Sequence, residues 1–432
     1  MSGHFVKKNV LVFPCGTEVG LEIYRSLAYS THFNVIGASS VDDHGKYVYE
    51  NYIGDLPYVD SPEFLRALGK VVEEKQIEFI FPAHDSVVLK LAEAADAGSI
   101  RAKVITSPLK TCQIARSKSK TYQQLSDIVV VPKRYESALD IQPADFPVFL
   151  KPDVGQGGKG THIAKSQDDI AFYCQQDPTL ILLENLSGKE YTVDCFTNRN
   201  GELLFAEGRE RRRIQNGISV DSETTNDPRF SELADKINKN LNFRGVWFFQ
   251  VKENAAGDLV LMEVAPRVAG TMGLTRCRGV NLPLLSLFDA IDMDVSIFEN
   301  KYQMTIDRAL ENTYRHDLTY SHVYLDFDDL VVLDNKVNAS VVAFIYQCHN
   351  KGVKVNLITK HRQDLEESLK NYRLSNIFDS IIWLKEGEKK VDFITEKESI
   401  FIDDSFAERQ TVSEKHNIPV FDAHMIESLM EK

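Results

Sequence analysis

The run PVFLKPDVGQGGKG, residues 147–160, constrains this chain more than any other stretch. An apolar β-type segment, Pro147 to Leu150, delivers Lys151, and a loop with glycines at 155, 157, 158 and 160 follows. Glycine lets the backbone turn with φ > 0 and brings its N–H groups close to an anion. A lysine on the adjoining strand adds a fixed cation, so the arrangement suits a polyphosphate. The spacing is neither G-x-x-x-x-G-K-[ST] nor G-x-G-x-x-G opening a helix, so neither common nucleotide loop applies. Taken alone, the run also fits a plain hairpin loop.

At 432 residues the chain exceeds one ordinary core and calls for two or three domains. Hydrophobic residues at 43% and charged residues at 26% are ordinary for a soluble globular protein. A net charge of −13 argues against a general nucleic-acid or anionic-membrane surface. No apolar run approaches the roughly 18 residues of a membrane span. The N-terminus, MSGHFVKKNVLVFPCG, has too short an apolar core for a signal peptide. Six scattered cysteines without a C-x-x-C pair read as free thiols in a reducing cytoplasm, the expected location.

The chain opens as βαβ: strand NVLVF (9–13), helix LEIYRSLAYS, strand FNVIGAS. Gly16 and Gly20 stand at the first turn, but the glycine triplet is incomplete and Ala38-Ser39 replace the expected ribose-binding acid. A structural turn is the better reading. The run EFIFPAHDS (78–86) is read as a strand ending at His84 and Asp85, near a crevice of the kind that open α/β sheets present. Residues 111–125 read as one helix, and strand-like runs alternate from Thr192 to Leu261 around a helix near 231–241. The polar, aperiodic segment 296–321 reads as a linker, after which a second βα rhythm begins.

Two further stretches, LLENLSGKEYTVDCF (182–196) and GVWFFQVKENAAGDLVLMEVAPRVAGT (245–271), stand in order behind Lys151 and its loop. Together they resemble the ATP-grasp superfamily, closest to the carbamoyl-phosphate-synthase-like carboxylate–amine ligases, over about residues 1–300. The resemblance implies an α/β architecture: a pre-ATP-grasp Rossmann-like domain (1–110), then an ATP-grasp α+β module (111–305) with its ATP lid near 125–190. It implies that Lys151 and Lys118 contact ATP phosphates under a lid carrying Gly155, Gly157, Gly158 and Gly160. Lys118 fits a solvated helix face equally well. Glu184, Asn185 and Leu186 match the adenine-reading hinge and Glu190 the ribose-binding acid. Gln250 and Glu263 match the metal ligands, with Mg²⁺ expected and Mn²⁺ as an alternative ion; facing strands would aim both at one spot. Arg267 matches the arginine that steadies the transferred phosphoryl group. Of the basic cluster Arg209, Arg211, Arg212 and Arg213, strand alternation favours Arg211 and Arg213 as inward-facing. The family's Glu-x-Asn-Pro-Arg reads Glu263-Val-Ala265-Pro-Arg267 here, so one metal ligand is missing.

The C-terminal third carries a second ordered set. Strand-end Asp326 and Asp328, strand-end Thr359, then Lys389 and Lys390, then strand-end Asp403 and Asp404 resemble the haloacid-dehalogenase-like (HAD-like) phosphatases over about 318–432. That resemblance implies a Rossmannoid domain in which Asp326 attacks phosphorus and Asp328 serves as acid and base. Thr359 and Lys389 or Lys390 hold phosphoryl oxygens, and Asp326, Asp328, Asp403 and Asp404 form the metal site. The usual Gly-Thr after the second aspartate is Asp329-Leu330, and between Asp328 and Thr359 only a minimal cap fits. The expectation is therefore an ATP-dependent ligase joined to a Mg²⁺-dependent phosphomonoesterase. Its substrates would be a small carboxylate, an amine and a phosphorylated small molecule, with no nucleic acid or membrane partner and a homodimer as one arrangement. Two alternatives stand: a phosphatase with a regulatory nucleotide-binding module, favoured by Ala265, or an active ligase with an inactive HAD-like domain, favoured by Asp329-Leu330.

Overall fold

The protein is described by a computed structural model covering residues 6–431. It divides into two compact units, one ending at Leu310 and the other beginning at Glu311.

The first unit opens with a five-stranded parallel sheet. Lys8–Phe13 lies at its centre, with Phe33–Ala38 on one side and Ile77–Pro82 on the other. These strands are nearly continuous apolar runs, as expected where helices cover both faces. Gly16 packs against the Asp43 carboxylate and Gly37 against the Tyr49 ring, so the first βα turn is filled by the protein's own side chains. The strand expected over 78–86 stops at Pro82. Asp85 instead opens the helix Asp85–Asp96, in the first turn, where a carboxylate favours the positive end of the helix dipole.

The helix expected over 111–125 is two, Leu109–Arg116 and Lys118–Leu125. Ser117 between them is extended (φ −112°, ψ 123°), and its hydroxyl caps the second helix by accepting from the Lys120 N–H. A four-stranded antiparallel sheet follows, built from Arg134–Tyr135, Leu180–Glu184, Val148–Pro152 and His162–Ala164. Next comes a six-stranded antiparallel sheet whose core strands are Glu190–Thr197, Leu203–Gln215 and Gly245–Glu253. Trp247, stacked on Phe243 at 3.9 Å, anchors this sheet against the helix Pro228–Asn240. Part of the expected linker belongs to it: Thr305–Asp307 pairs with Ile218–Thr225 as an edge strand. Three residues are too few to show a period-2 pattern.

The second unit is a five-stranded parallel sheet with His322–Leu325 at its centre, between Lys354–Thr359 and Ser399–Ile402. A two-stranded hairpin, Val332–Leu333 with Lys336–Val337, turns through Asp334 and Asn335 at positive φ. The irregular Asp329-Leu330 has a simple explanation. Asp329 takes the left-handed conformation (φ 56°) that glycine would take, and aspartate tolerates it better than most residues, while Leu330 is wholly buried in the core.

Candidate functional site

In the first unit a cavity of 190 Å³ lies between the glycine loop and the six-stranded sheet. Lys151 reaches it from the strand Val148–Pro152 and is 6% exposed. Its Nζ donates to the Tyr122 hydroxyl (2.8 Å) and the Met262 carbonyl (3.3 Å). No carboxylate among the described residues lies within ion-pair distance of it. Burial, reinforced by neighbouring Lys118, lowers the Lys151 ammonium to about 8. Lys118 lines the same cavity and donates to the carbonyl of Gly155 at 3.3 Å. Two cations supplied only with neutral acceptors suit an anion.

Gln250 and Glu263 stand directly opposite each other on adjacent antiparallel strands, both lining the cavity. Their hard oxygen donors suit Mg²⁺ shared with phosphates. Arg211 ties the sheet side together: Nη1 donates to Gln250 Oε1 (3.0 Å) and pairs with Glu190, and Nη2 donates to the Gly217 carbonyl (2.8 Å). Gly217 in turn meets the glycine loop. A Cβ there would fall 2.0 Å from the Gly157 carbonyl oxygen, so only a bare backbone allows this approach. Gly157, Gly158 and Gly160 all have positive φ, whereas Gly155 does not.

One expectation, Arg213, needs correction, and the neighbouring residues fall as follows. Arg213 does not face the cavity: register shifts on either side of it turn its side chain out to Asp307, 59% exposed. Arg209 is a core residue, bidentate to Asp194, and Arg212 pairs with Asp221 and Glu223. Glu184 ends the strand Leu180–Glu184, with Asn185 and Leu186 just after it, and none of the three lines this cavity. The Glu184 carboxylate accepts from the Lys133 N–H (2.8 Å), which holds the neighbouring strand Arg134–Tyr135 in place. Ala265 is buried beside Phe248 and Ala269. Arg267 lies in an adjoining 40 Å³ cavity, clasped by Asp85 at 2.7 and 2.8 Å. Tyr122 and Arg116, unmarked by the sequence reading, also belong to this region.

The second unit holds a larger cleft of 660 Å³ at the carboxyl ends of its parallel strands. Asp326 follows the central strand, Asp403 and Asp404 follow its neighbour, and oxygens of all three lie within 4.8 Å of one another. Lys390 Nζ sits between Asp326 (2.7 Å) and Asp403 (2.6 Å). Burial pushes the Asp326 carboxyl up to about 6, although Lys390 pulls the other way. Burial also opposes the Lys390 charge, but the two carboxylates outweigh it and raise the ammonium above its ordinary range. Thr359 ends its strand fully buried at the same place. Lys389 is exposed and outside the cleft, because only one of two successive residues can point inward here. Asp328 is not part of the carboxylate cluster. Its half-exposed side chain meets His361 Nδ1 at 2.9 Å, and His361 Nε2 contacts Ser368 Oγ at 2.9 Å. His361 had no sequence signal beyond following Thr359 by two residues.

A family profile described as "ATP-grasp in the biosynthetic pathway with Ter operon" matches residues 176–311. A carbamoyl-phosphate synthase of Methanobrevibacter smithii is 27% identical over 220 residues, 46% of this chain and 57% of the relative. The chain thus spans little more than half of that relative's length. Among solved structures, biotin carboxylase from Campylobacter jejuni, in complex with β,γ-ATP, superposes with a TM-score of 0.59 at 16% identity, covering 70% of this chain and 75% of that one. An L-amino acid ligase from Bacillus licheniformis gives 0.53 at 15% identity, covering 66% and 74%. Over about 70% of its length the chain carries an ATP-grasp fold of the kind found in biotin carboxylase. No helix among the described residues is long and apolar enough to cross a membrane.

Proposed function

We propose that this protein is a carboxylate–amine ligase of the ATP-grasp type joined to a Mg²⁺-dependent phosphomonoesterase. The boundaries would be 1–110 and 111–305 for the two parts of the ligase and 318–432 for the phosphatase. The observation that carries the ligase reading is the unpaired, buried Lys151 facing the Gln250–Glu263 pair beneath a glycine loop.

A carboxylate is a poor electrophile, and phosphorylation by ATP makes it an acyl phosphate that an amine can attack. In such a transfer, charge placement does most of the work. Lys151 and Lys118 would hold the phosphate oxygens, and Glu190 would accept from the ribose hydroxyls. Gln250 and Glu263 would hold Mg²⁺, which when bound would supply neutralisation of the phosphate charge. Arg267 would steady the carboxylate and the incoming phosphoryl group. The glycine loop, laid against Gly217, would keep water from the acyl phosphate. Incubating ¹⁸O-labelled carboxylates with ATP and amines tests this: one ¹⁸O should appear in the released phosphate. Unlabelled phosphate together with amide product would sink the acyl-phosphate route.

In the second unit Asp326 would attack phosphorus and Asp328, oriented by His361, would protonate the leaving alkoxide. Lys390 and Thr359 would hold the phosphoryl oxygens, and Asp326, Asp403 and Asp404 offer a hard-oxygen site fitting Mg²⁺. Asp329 supports an active site here, since it adopts the turn expected of glycine. Ala265 is the one feature favouring a nucleotide-binding module without ligation.

A further inference from the structure

The 40 Å³ cavity beside the nucleotide pocket is lined by Asp85, Arg116, Lys118, Gln156, Glu263 and Arg267 over an apolar floor. Two of its groups are left without adequate partners. Arg116, half-buried at the end of helix Leu109–Arg116, has no carboxylate within ion-pair distance among the described residues. Its guanidinium makes only long contacts, to Ser86 Oγ (3.3 Å) and the Gly155 carbonyl (3.4 Å). Five fixed N–H donors with two weak neutral acceptors form an anion seat still short of its anion. The Gln156 side-chain oxygen is buried in the same region without a hydrogen-bond partner.

Arg267 presents the opposite case. Asp85 grips it in a fork, with Nε to Oδ1 at 2.7 Å and Nη2 to Oδ2 at 2.8 Å. Burial opposes the Asp85 charge, but Arg267 and then Arg116 overcome it and hold the carboxyl below its usual range. That fork is the geometry in which a free carboxylate would bind arginine. The cavity has room for about three water-sized groups, the size of a carboxylate but not of a sugar or a base.

We propose that Arg116 and Arg267 together seat the carboxylate of the acid substrate, and that Asp85 is a built-in carboxylate occupying Arg267 until the acid displaces it. The inference rests on the ligase reading. Because Arg116 also donates to the Gly155 carbonyl, filling the seat bears directly on the first residue of the glycine loop. Acid binding and lid closure are thereby linked.

Acetate, the smallest stable carboxylate after formate, serves as the probe. Its affinity is measured by thermal shift on the full chain, in the presence of ADP, for wild type, Asp85→Asn, Asp85→Asn with Arg116→Gln, and Asp85→Asn with Arg116→Lys. Asp85→Asn should bind acetate at least tenfold more tightly than wild type. Arg116→Gln should erase that gain, and Arg116→Lys should keep part of it. Far-UV circular dichroism should be the same in all four, which marks them as folded. Acetate affinity indifferent to Asp85→Asn, or a gain that survives Arg116→Gln, overturns the seat even if the enzyme ligates. The expected acetate pattern without ATP turnover on any acid would uphold the seat and remove the ligase reading instead.

Discussion

Both units bury a lysine at the heart of their site, and the two lysines are set in opposite fields. Lys151 is supplied with a phenol and a carbonyl, and burial drags its ammonium down to about 8. Lys390 is wedged between two carboxylates and is raised. Desolvation acts on both; the presence or absence of neighbouring carboxylates decides the outcome. A cation kept short of counter-charge is prepared for a polyanion. A cation already balanced by carboxylates keeps those carboxylates together, ready to share a metal. On the proposed reading, the contrast fits ATP in one place and a phosphomonoester in the other.

The sharpest way to break this comparison is to remove each charge. Lys390→Met leaves two buried carboxylates uncompensated and should lower the stability of the C-terminal unit by about 3–5 kcal/mol in urea denaturation, with Mg²⁺ restoring part of the loss. Lys151→Met removes a desolvated, unpaired ammonium. Stability should hold or rise slightly, while ATP turnover falls by roughly a hundredfold or more. Equal destabilisation by both variants would erase the distinction.

The pH dependence sharpens it further. Free Lys151 loses its proton near pH 8, and bound phosphates must raise that value, so nucleotide binding takes up a proton above pH 8. The Kd for ATP should therefore be flat below pH 8 and rise by up to about tenfold per pH unit above it. Lys151→Arg should stay flat throughout, as isothermal titration between pH 7 and 9.5 would reveal. The smallest effect concerns Ala265, which stands where a metal ligand is usual. Ala265→Asn should lower the Mg²⁺ concentration for half-maximal ATP turnover about threefold, since one added oxygen donor competes only with water. An unchanged requirement would mean that the two ligands Gln250 and Glu263 already complete the site.

Residue patterns longer than one element were legible in the sequence. The facing of Gln250 and Glu263 was implied by the ATP-grasp resemblance of two strand-like runs, and the pair is in register. The clustering of Asp326 with Asp403 and Asp404 was implied by the HAD-like resemblance of carboxylates at strand ends. Single-residue events were not legible. One extended serine, Ser117, breaks a helix whose apolar period continues across it. Shifts of register next to Arg213 turn it outward while Arg211 still faces inward. The choice of Lys390 over Lys389 depends on a short 3-10 turn, Lys390–Asp392, without periodicity. Arg116, Tyr122 and His361 act through partners 29 to 39 positions away, in contacts that only the folded chain creates.

The central claim is that two chemically separate sites, each with its own metal ligands, reside in one chain. The most direct measurement assays Glu263→Ala and Asp326→Asn side by side with wild type. ADP release from ATP with pooled carboxylates and amines is read in one arm, and phosphate release from p-nitrophenyl phosphate in the other. Glu263→Ala should lose ADP release and keep phosphate release. Asp326→Asn should do the reverse, with its own activity down about a thousandfold or more. Loss of both activities in either folded variant would mean a single composite site and would contradict the account.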